Sequence, residues 1–436
     1  MQTVLGSIAS PRRLGATLAF FSAALLAGGC MVKETRPLPK VNAIQAQAEI
    51  PADELLDVGV RVFDPGIPAE LANDPEALTG KGIYPDVRRA EARHLAMNLR
   101  DTLEGSGQWG AVRVTPANAE FIDLLVSGKI IKSNGKELKL QVAARDSTGR
   151  VWLEPKEYGS NADVGSYLSE AAIKLRDPFQ NVYSQIANDI LAARKKLGSA
   201  DLVNVRRVTE MRFAADLAPQ AMAGYVHDDG KGHYQLARLP ATGDPVIERI
   251  QRIRERDGAL IDTVSDYYGN FSQRLDDPYD NWRRYSYEEI VKEEKLKSQA
   301  RTRMIMGAAA VLGGVLIPSQ CTTYDYNCRR IEGAVRTAAA AGGIAGIVSG
   351  LKKSADAKVH TSAIRELANS FQSEVAPQVV EVEGRTLKLT GTAEEQYRQW
   401  REMLREQYLE ETGGVSSQAT ADSTASASSG APATSR

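Results

Sequence analysis

The stretch that decides the fold runs from Leu124 to Asp146 and reads LLVSGKIIKSNGKELKLQVAARD. Its centre is Asn134-Gly135, a pair typical of a tight β-hairpin turn. After the turn, Leu138, Leu140 and Val142 alternate with polar or small residues, which is the period-two pattern of a half-buried strand. Leu124–Ile131 predicts the outgoing strand. The sequence therefore predicts an antiparallel hairpin with one face in a core.

Elements predicted on either side of this hairpin complete a small domain. A strand at Leu56–Phe63 stops at the turn signal Asp64-Pro65-Gly66. The other predicted elements follow in chain order: a helix over Val87–Leu103, strands at Ala111–Val114 and Val151–Leu153, and a helix over Pro178–Leu197. Residues 52–200 are therefore predicted to form an α+β domain, with helices packed on one face of a small sheet.

This domain resembles the N-terminal domain of the Tol translocation protein. It is similar, more loosely, to the curli-secretion and flagellar-associated outer-membrane lipoproteins. The residues that carry the resemblance are Asp123–Ile131, Asn134-Gly135 and Leu138–Asp146. The resemblance implies a periplasmic interaction domain and a part in assembling or stabilising an envelope machine, such as a secretion channel, a motility apparatus or a polysaccharide exporter.

The first residues have the pattern of a secretory signal. Arg12 and Arg13 precede an apolar run, Leu14–Ala27, and two glycines then lead to Cys30. Leu26–Cys30 resembles a bacterial lipobox, in which the Cys sulfur accepts a diacylglycerol. An ordinary cleaved signal or a short membrane helix are the alternatives, but the run is shorter than the roughly 20 residues of a membrane span.

The predicted organisation of the N-terminus follows from this pattern. Residues 1–29 are predicted to be a signal peptide and 30–51 a lipidated tether. Met31 is not Asp, so by analogy with enterobacterial sorting the anchor is expected in the outer membrane. The protein would face the periplasm.

The other two cysteines, Cys321 and Cys328, are predicted to form a disulfide, since nearby cysteines in an exported protein favour one. A metal pair is the alternative, but zinc needs more ligands, and the nearest His in sequence is His360. A formal net charge of -1 gives no global electrostatic reason to bind nucleic acid.

Residues 301–352 are predicted to form an apolar helical hairpin around this disulfide loop. Its arms are Met304–Ile317 and Ala334–Leu351, and Gly342, Gly346 and Gly350 lie on one helical face that allows close backbone approach. Three alternatives remain: insertion in a membrane, burial within one subunit, or packing between subunits in a ring or pore. The first arm would be about 20 Å long, against a hydrocarbon core of ~30 Å.

The remaining regions are predicted more coarsely. Residues 201–300 are expected to be mainly helical, with candidates at Pro245–Arg256 and Ala259–Phe271. The aromatic stretch Pro278–Tyr285 is expected to pack where a helix docks on the first domain, a binding surface being the alternative. Residues 353–412 are predicted as a helix, a β-hairpin turning near Gly384 and a helix over Ala393–Tyr408, and 413–436 as a disordered tail.

Catalytic motifs are few. Of four histidines, His94 is expected to be structural, and His227 and His233 are expected to lie on a polar turn in preference to a metal site. Asp276 and Asp277 form a carboxylate pair of a kind common on surfaces. No phosphate loop, nucleophile elbow or zinc helix occurs, and neither a metal nor a cofactor is predicted.

The functional hypothesis is a non-enzymatic outer-membrane lipoprotein that acts as a scaffold or assembly component. Its expected partners are the membrane, through the lipid anchor, envelope proteins, and other copies of itself. One alternative is an oligomeric pore built from the apolar hairpin. Another is an envelope hydrolase with an unrecognised carboxylate site, which a pocket joining acidic residues to the His227–His233 loop would favour.

Overall fold

The computed structural model describes residues 39–316, 378–382, 385–389 and 392–412. All the elements below belong to the compact unit that begins at Lys40.

A five-stranded mixed sheet forms the centre of the N-terminal half. Its strands are β1 (Val58–Arg61), β2 (Val112–Thr115), β3 (Leu124–Ser133), β4 (Glu137–Asp146) and β5 (Val151–Asn161). The spatial order is β2-β1-β3-β4-β5. β1 pairs in parallel with both β2 and β3, whereas β3, β4 and β5 are antiparallel.

Helices pack on this sheet and continue after it. They are α1 (Pro75–Gly80), α2 (Pro85–Glu104), α3 (Glu170–Leu175), α4 (Gln180–Arg194), α5 (Ser199–Leu217), α6 (Pro245–Leu316) and α7 (Ala393–Glu411). Two small antiparallel pairs join β6 (Val226–Asp228) to β7 (Tyr234–Leu236) and β8 (Gln378–Val382) to β9 (Arg385–Leu389). The predicted α+β class is confirmed.

The predicted hairpin is present and is locked against α6. Asn134 Oδ1 accepts hydrogen bonds from the backbone N–H groups of Lys136 and Glu137 and so fixes the turn. A Cβ on Gly135 would overlap the backbone oxygen of Arg283 in α6. Only glycine therefore fits at this position, because two backbones meet there.

One hydrophobic core lies on a single face of the sheet, which we call the covered face. Alternate residues of β3 and β4, such as Val126, Ile130 and Leu140, point into this core, as period two requires. α2, α4 and the middle of α6 cover them, with Leu99 of α2 fully buried.

A second core joins α5, the start of α6 and α7. Its largest buried side chain is Trp400 of α7, which clusters with Phe213 of α5 and Ile250 of α6. The α7 helix begins with a capping box in which Thr392 and Glu395 bond reciprocally. This core therefore brings together the start of α6 and α7, which are far apart in sequence.

α6 is a single helix of 72 residues, although the sequence predicted two shorter candidates ending at Arg256 and Phe271. It passes through Gly258 and Pro278, which cost about 1 and 3 kcal/mol in a helix interior. Burial along both cores offsets these costs. Tyr279 and Trp282 are buried in the first core, so the aromatic stretch packs on the first domain as predicted.

The described part of the predicted tether is bound to the body. The backbone N–H groups of Val41 and Ile44 donate to Asn181 and Asn188 of α4, at 2.9 Å in both cases. Residues 41–44 therefore follow α4 instead of forming a free linker, because asparagine side chains supply the partners that a strand would otherwise provide.

Candidate functional site

Several residues selected from the sequence lie outside the described residues. These are the lipidation site Cys30, the disulfide pair Cys321 and Cys328, and the helix-packing glycines Gly342, Gly346 and Gly350. Their roles stay predictions.

His94 is buried in α2 and has partners for both ring nitrogens. Its Nδ1 lies 2.7 Å from Ser272 Oγ, and its Nε2 lies 3.2 Å from Asn98 Nδ2. Burial, followed by the charge of Arg283, lowers its pKa to about 4. A neutral, hydrogen-bonded imidazole fits the structural role that the sequence predicted.

His227 and His233 lie on the β6–β7 hairpin. His233 Nδ1 is 2.9 Å from Asp229 Oδ2, and Asp229 Oδ1 also accepts from the N–H of Lys231. These bonds make the polar turn expected from the sequence. Within the part of the chain that the structure describes, no group of three or more His, Cys, Asp or Glu residues is arranged to hold a metal ion.

A buried ion-pair network, which we call the Arg283 network, fastens α6 to the first domain. Arg283 Nη1 lies 2.7 Å from Asp177 Oδ2, and its Nη2 pairs with Asp280. Its guanidinium also lies 4.5 Å from the ring centroid of Tyr279. Burial alone would lower the pKa of Arg283, but Asp177 and its other neighbours raise it well above its usual value.

Glu91 of α2 extends the Arg283 network to the sheet. Its Oε1 accepts from Ser133 Oγ of β3 at 2.6 Å and from the Tyr279 hydroxyl at 2.8 Å. Arg88 Nε lies 3.7 Å from Oε2. Burial raises the pKa of Glu91, although Arg88 opposes this shift. One buried carboxylate thus connects a helix, a strand and α6.

An acidic groove of about 450 Å³ opens beside this network. Asp276 lies in it with its side chain half exposed, 3.7 Å from His94 Nδ1. Burial, followed by the charge of Asp280, raises the pKa of Asp276 to about 6. The adjacent Asp277 pairs with Lys174 at 3.1 Å. The groove therefore joins acidic residues to His94, whereas the His227–His233 loop lies on another hairpin.

The opposite face of the sheet, the open face, carries a groove of about 510 Å³. Three arginines line it, namely Arg61, Arg145 and Arg212. Arg212 lies 3.8 Å from the ring centroid of Tyr234 and donates to the Ser147 carbonyl at 2.9 Å.

The chemistry of this arginine groove suits a ligand with both apolar and acceptor groups. Leu125 and Leu153 supply apolar lining beside the guanidinium groups. Burial lowers the pKa of Arg61, and Glu120 opposes the shift. The alternation in β4 is the sequence signal for the groove, because it places Arg145 on the face opposite the buried residues. The positions of β1 and α5 beside β4, which bring the three arginines together, could not be read from the sequence.

Comparisons with known proteins add little. No family model matches the sequence, and no curated protein matches it. Among solved structures, the chain is similar to protein XCC0632 from Xanthomonas campestris, of the DUF330 family, at 13% identity over 37% of this chain and 94% of that one. The TM-score is 0.21, which is too low to support an inference about fold or function.

Proposed function

We propose that this chain is a non-enzymatic lipoprotein of the outer membrane, anchored through Cys30 and facing the periplasm. It acts as an assembly component of an envelope machine through protein–protein contacts. The lipobox-like stretch before Cys30 supports the anchor, and Met31 supports the choice of membrane.

The observation that carries the assembly role is the course of α6. Its first part is built into both cores, and its last described ion pair to the sheet domain joins Lys136 and Glu294. The helix then continues from Lys295 to Leu316, a rise of about 33 Å for these 22 residues. The predicted glycine-rich segment lies in sequence between α6 and α7, both of which pack in the second core. This position in the chain supports a role in contacts with other molecules.

The anchor is tested by metabolic labelling of the full chain with an alkyne fatty acid. We expect the label and outer-membrane fractionation for the wild type, and loss of both for Cys30→Ser. Cys321→Ser is the matched control and should keep the label. An unlabelled wild-type protein would refute the anchor.

Self-association is tested by the mass of the detergent-solubilised protein in light scattering. We expect an oligomer that Gly346→Leu dissociates, since a side chain on the predicted glycine face prevents close helix approach. Gly258→Leu is the control, because a Cβ there meets no heavy atom within 4 Å. A wild-type monomer would contradict the contact role assigned to the glycines.

None of the described helices is long and apolar enough to cross a membrane. An oligomer that releases dye from vesicles would favour a pore over a scaffold.

A cell-wall hydrolase is the second candidate, and the raised pKa of Asp276 in a groove is the observation that favours it. Asp177 and Asp280 pair with Arg283, so two neighbouring carboxylates already have structural partners. Peptidoglycan cleavage that is lost in Asp276→Asn and kept in Asp277→Asn would establish this candidate instead.

A further inference from the structure

Two leucines are far more exposed than any other large apolar residue whose side chain the structure describes. Leu168 is 82% exposed and Leu175 87%, whereas the next, Leu239, is 51% exposed. Both leucines belong to the segment 164–176. It contains a short 3-10 helix, which Leu168 caps at its C-terminus, and α3, which Arg176 caps. Two such leucines seven positions apart give one short segment an apolar surface.

The folded body begins beside this segment. Arg176 directly follows Leu175, and its Nη2 donates to the carbonyl of Val41 at 3.0 Å and to Asn181 at 2.8 Å. From Val41 the chain then runs along α4 towards Ile44 and Asn188. The N-terminal end of the bound tether is therefore within one arginine side chain of Leu175.

The length of chain before this point limits the distance to the lipid. Lys40 comes ten residues after Cys30. Ten residues of fully extended chain span at most about 36 Å. A lipid on Cys30 would therefore keep the start of the body within about 36 Å of the bilayer, so that segment 164–176 can reach its surface.

Further exposed apolar residues lie at the same end of the body. The ring of Tyr167, which precedes Leu168, packs 5.1 Å from Tyr287 of α6, and its hydroxyl donates to the carbonyl of Gly135 in the hairpin turn. Three exposed apolar residues flank these contacts: Ile131, Tyr285 and Val291.

We propose that segment 164–176 docks on the lipid bilayer, with Leu168 and Leu175 inserted at the headgroup level. The docking rests on the proposed lipid anchor at Cys30. The anchor brings the segment to the membrane, and the leucines fix which end of the body faces it. Two of the charges at this end are paired, Lys174 with Asp277 and Lys136 with Glu294.

The test places a photo-crosslinking amino acid at position 168 or 175 of the full chain in its native membrane. We expect phospholipid adducts by mass spectrometry at both positions and none at position 239, the matched exposed leucine. Adducts with a protein, or no adducts, in a chain that still carries the acyl label would overturn the docking and leave the anchor intact. Loss of the acyl label and of membrane fractionation would instead overturn the proposed function, and the docking with it.

A second measurement does not depend on crosslinking. The lipidated protein is reconstituted in vesicles of phosphatidylethanolamine and phosphatidylglycerol, and amide hydrogen exchange is followed in residues 164–176. We expect exchange at least about 10-fold slower in the wild type than in Leu168→Ser/Leu175→Ser, the factor that burial of one leucine supplies. Leu239→Ser should behave as the wild type. Equal exchange in the double variant and the wild type would refute the docking.

Discussion

The two faces of the central sheet use the same strands but place charge in opposite surroundings. On the covered face, helices bury Val126 and Leu140, and the Arg283 side chain is buried within its ion-pair network. On the open face, Arg145 is exposed along the arginine groove. The comparison shows that the contribution of an arginine to the free energy of unfolding depends on the face of the sheet on which it lies. Burial removes the water that would stabilise a carboxylate left without its arginine.

The largest expected effect is that of Arg283→Met. The change leaves Asp177 and Asp280 without their buried partner, and breaking a buried pair costs about 3–5 kcal/mol. We expect a loss of this size in urea unfolding at pH 7. Arg145→Met on the open face should stay within about 0.5 kcal/mol. Equal losses for the two variants would remove the distinction between the faces.

Acidification should weaken the covered face next. The pKa of His94 is about 4 in the folded protein and near 6.5 when unfolded, so the unfolded state binds the proton more tightly. The contribution of His94 to the free energy of unfolding is largest above pH 6.5. It decreases as the pH falls towards 4, by up to about 3 kcal/mol. We expect His94→Asn to flatten the dependence of unfolding free energy on pH in this window.

The control for this titration is His233→Asn, which removes an exposed histidine from the β6–β7 hairpin. If His94→Asn and the wild type lose the same free energy between pH 6.5 and 4, the buried imidazole does not cause the acid sensitivity.

Packing on the covered face should be sensitive to a single methyl group. A Cβ on Gly128 of β3 would lie 2.6 Å from the ring of Phe63, which is itself buried. Gly128→Ala therefore overpacks the core, and we expect thermal or urea unfolding to show a loss of about 1–3 kcal/mol. Gly159→Ala in β5 is the control, because its nearest neighbour would be 3.5 Å away. A neutral Gly128→Ala would show that the Phe63 ring can shift freely.

The smallest expected effect has the opposite sign. Asp276 has a raised pKa of about 6, so the folded state favours its protonated form. Its contribution to stability is full below about pH 4, the usual aspartate value, and is lost as the pH rises through 6. Asp276→Asn should therefore stabilise the protein at pH 7, by less than about 1 kcal/mol because solvent screens a half-exposed side chain. A destabilised variant would contradict this sign.

The sequence predicted the local elements better than the contacts between them. The hairpin at Asn134-Gly135 and the α2 helix follow from turn chemistry and periodicity, which are local. The Arg283 network could not be predicted in this way, since Glu91, Asp177 and Arg283 come from distant parts of the chain. Their grouping depends on how α6 crosses the sheet domain.

The continuity of α6 did have a signal in the sequence. Buried residues recur every three or four positions from Ile250 to Trp282, a stripe that only one continuous helix keeps on one side. Gly258 and Pro278 are unfavourable in a helix interior, yet α6 continues through both. Burial outweighs helix propensity in α6. The stripe contributes to two hydrophobic cores, whereas each of these two residues weakens the helix over one turn.

The packing of α6 in both cores has a mechanical consequence. α6 is one helix whose first part is held by two separate sets of side chains, and its far end leads in sequence into the predicted glycine-rich segment. A pulling force on that segment acts along the axis of α6, and both cores resist it in shear at the same time. The helix can move along its axis only if the side-chain contacts in both cores break. Tension from an attached partner is therefore shared between the two cores.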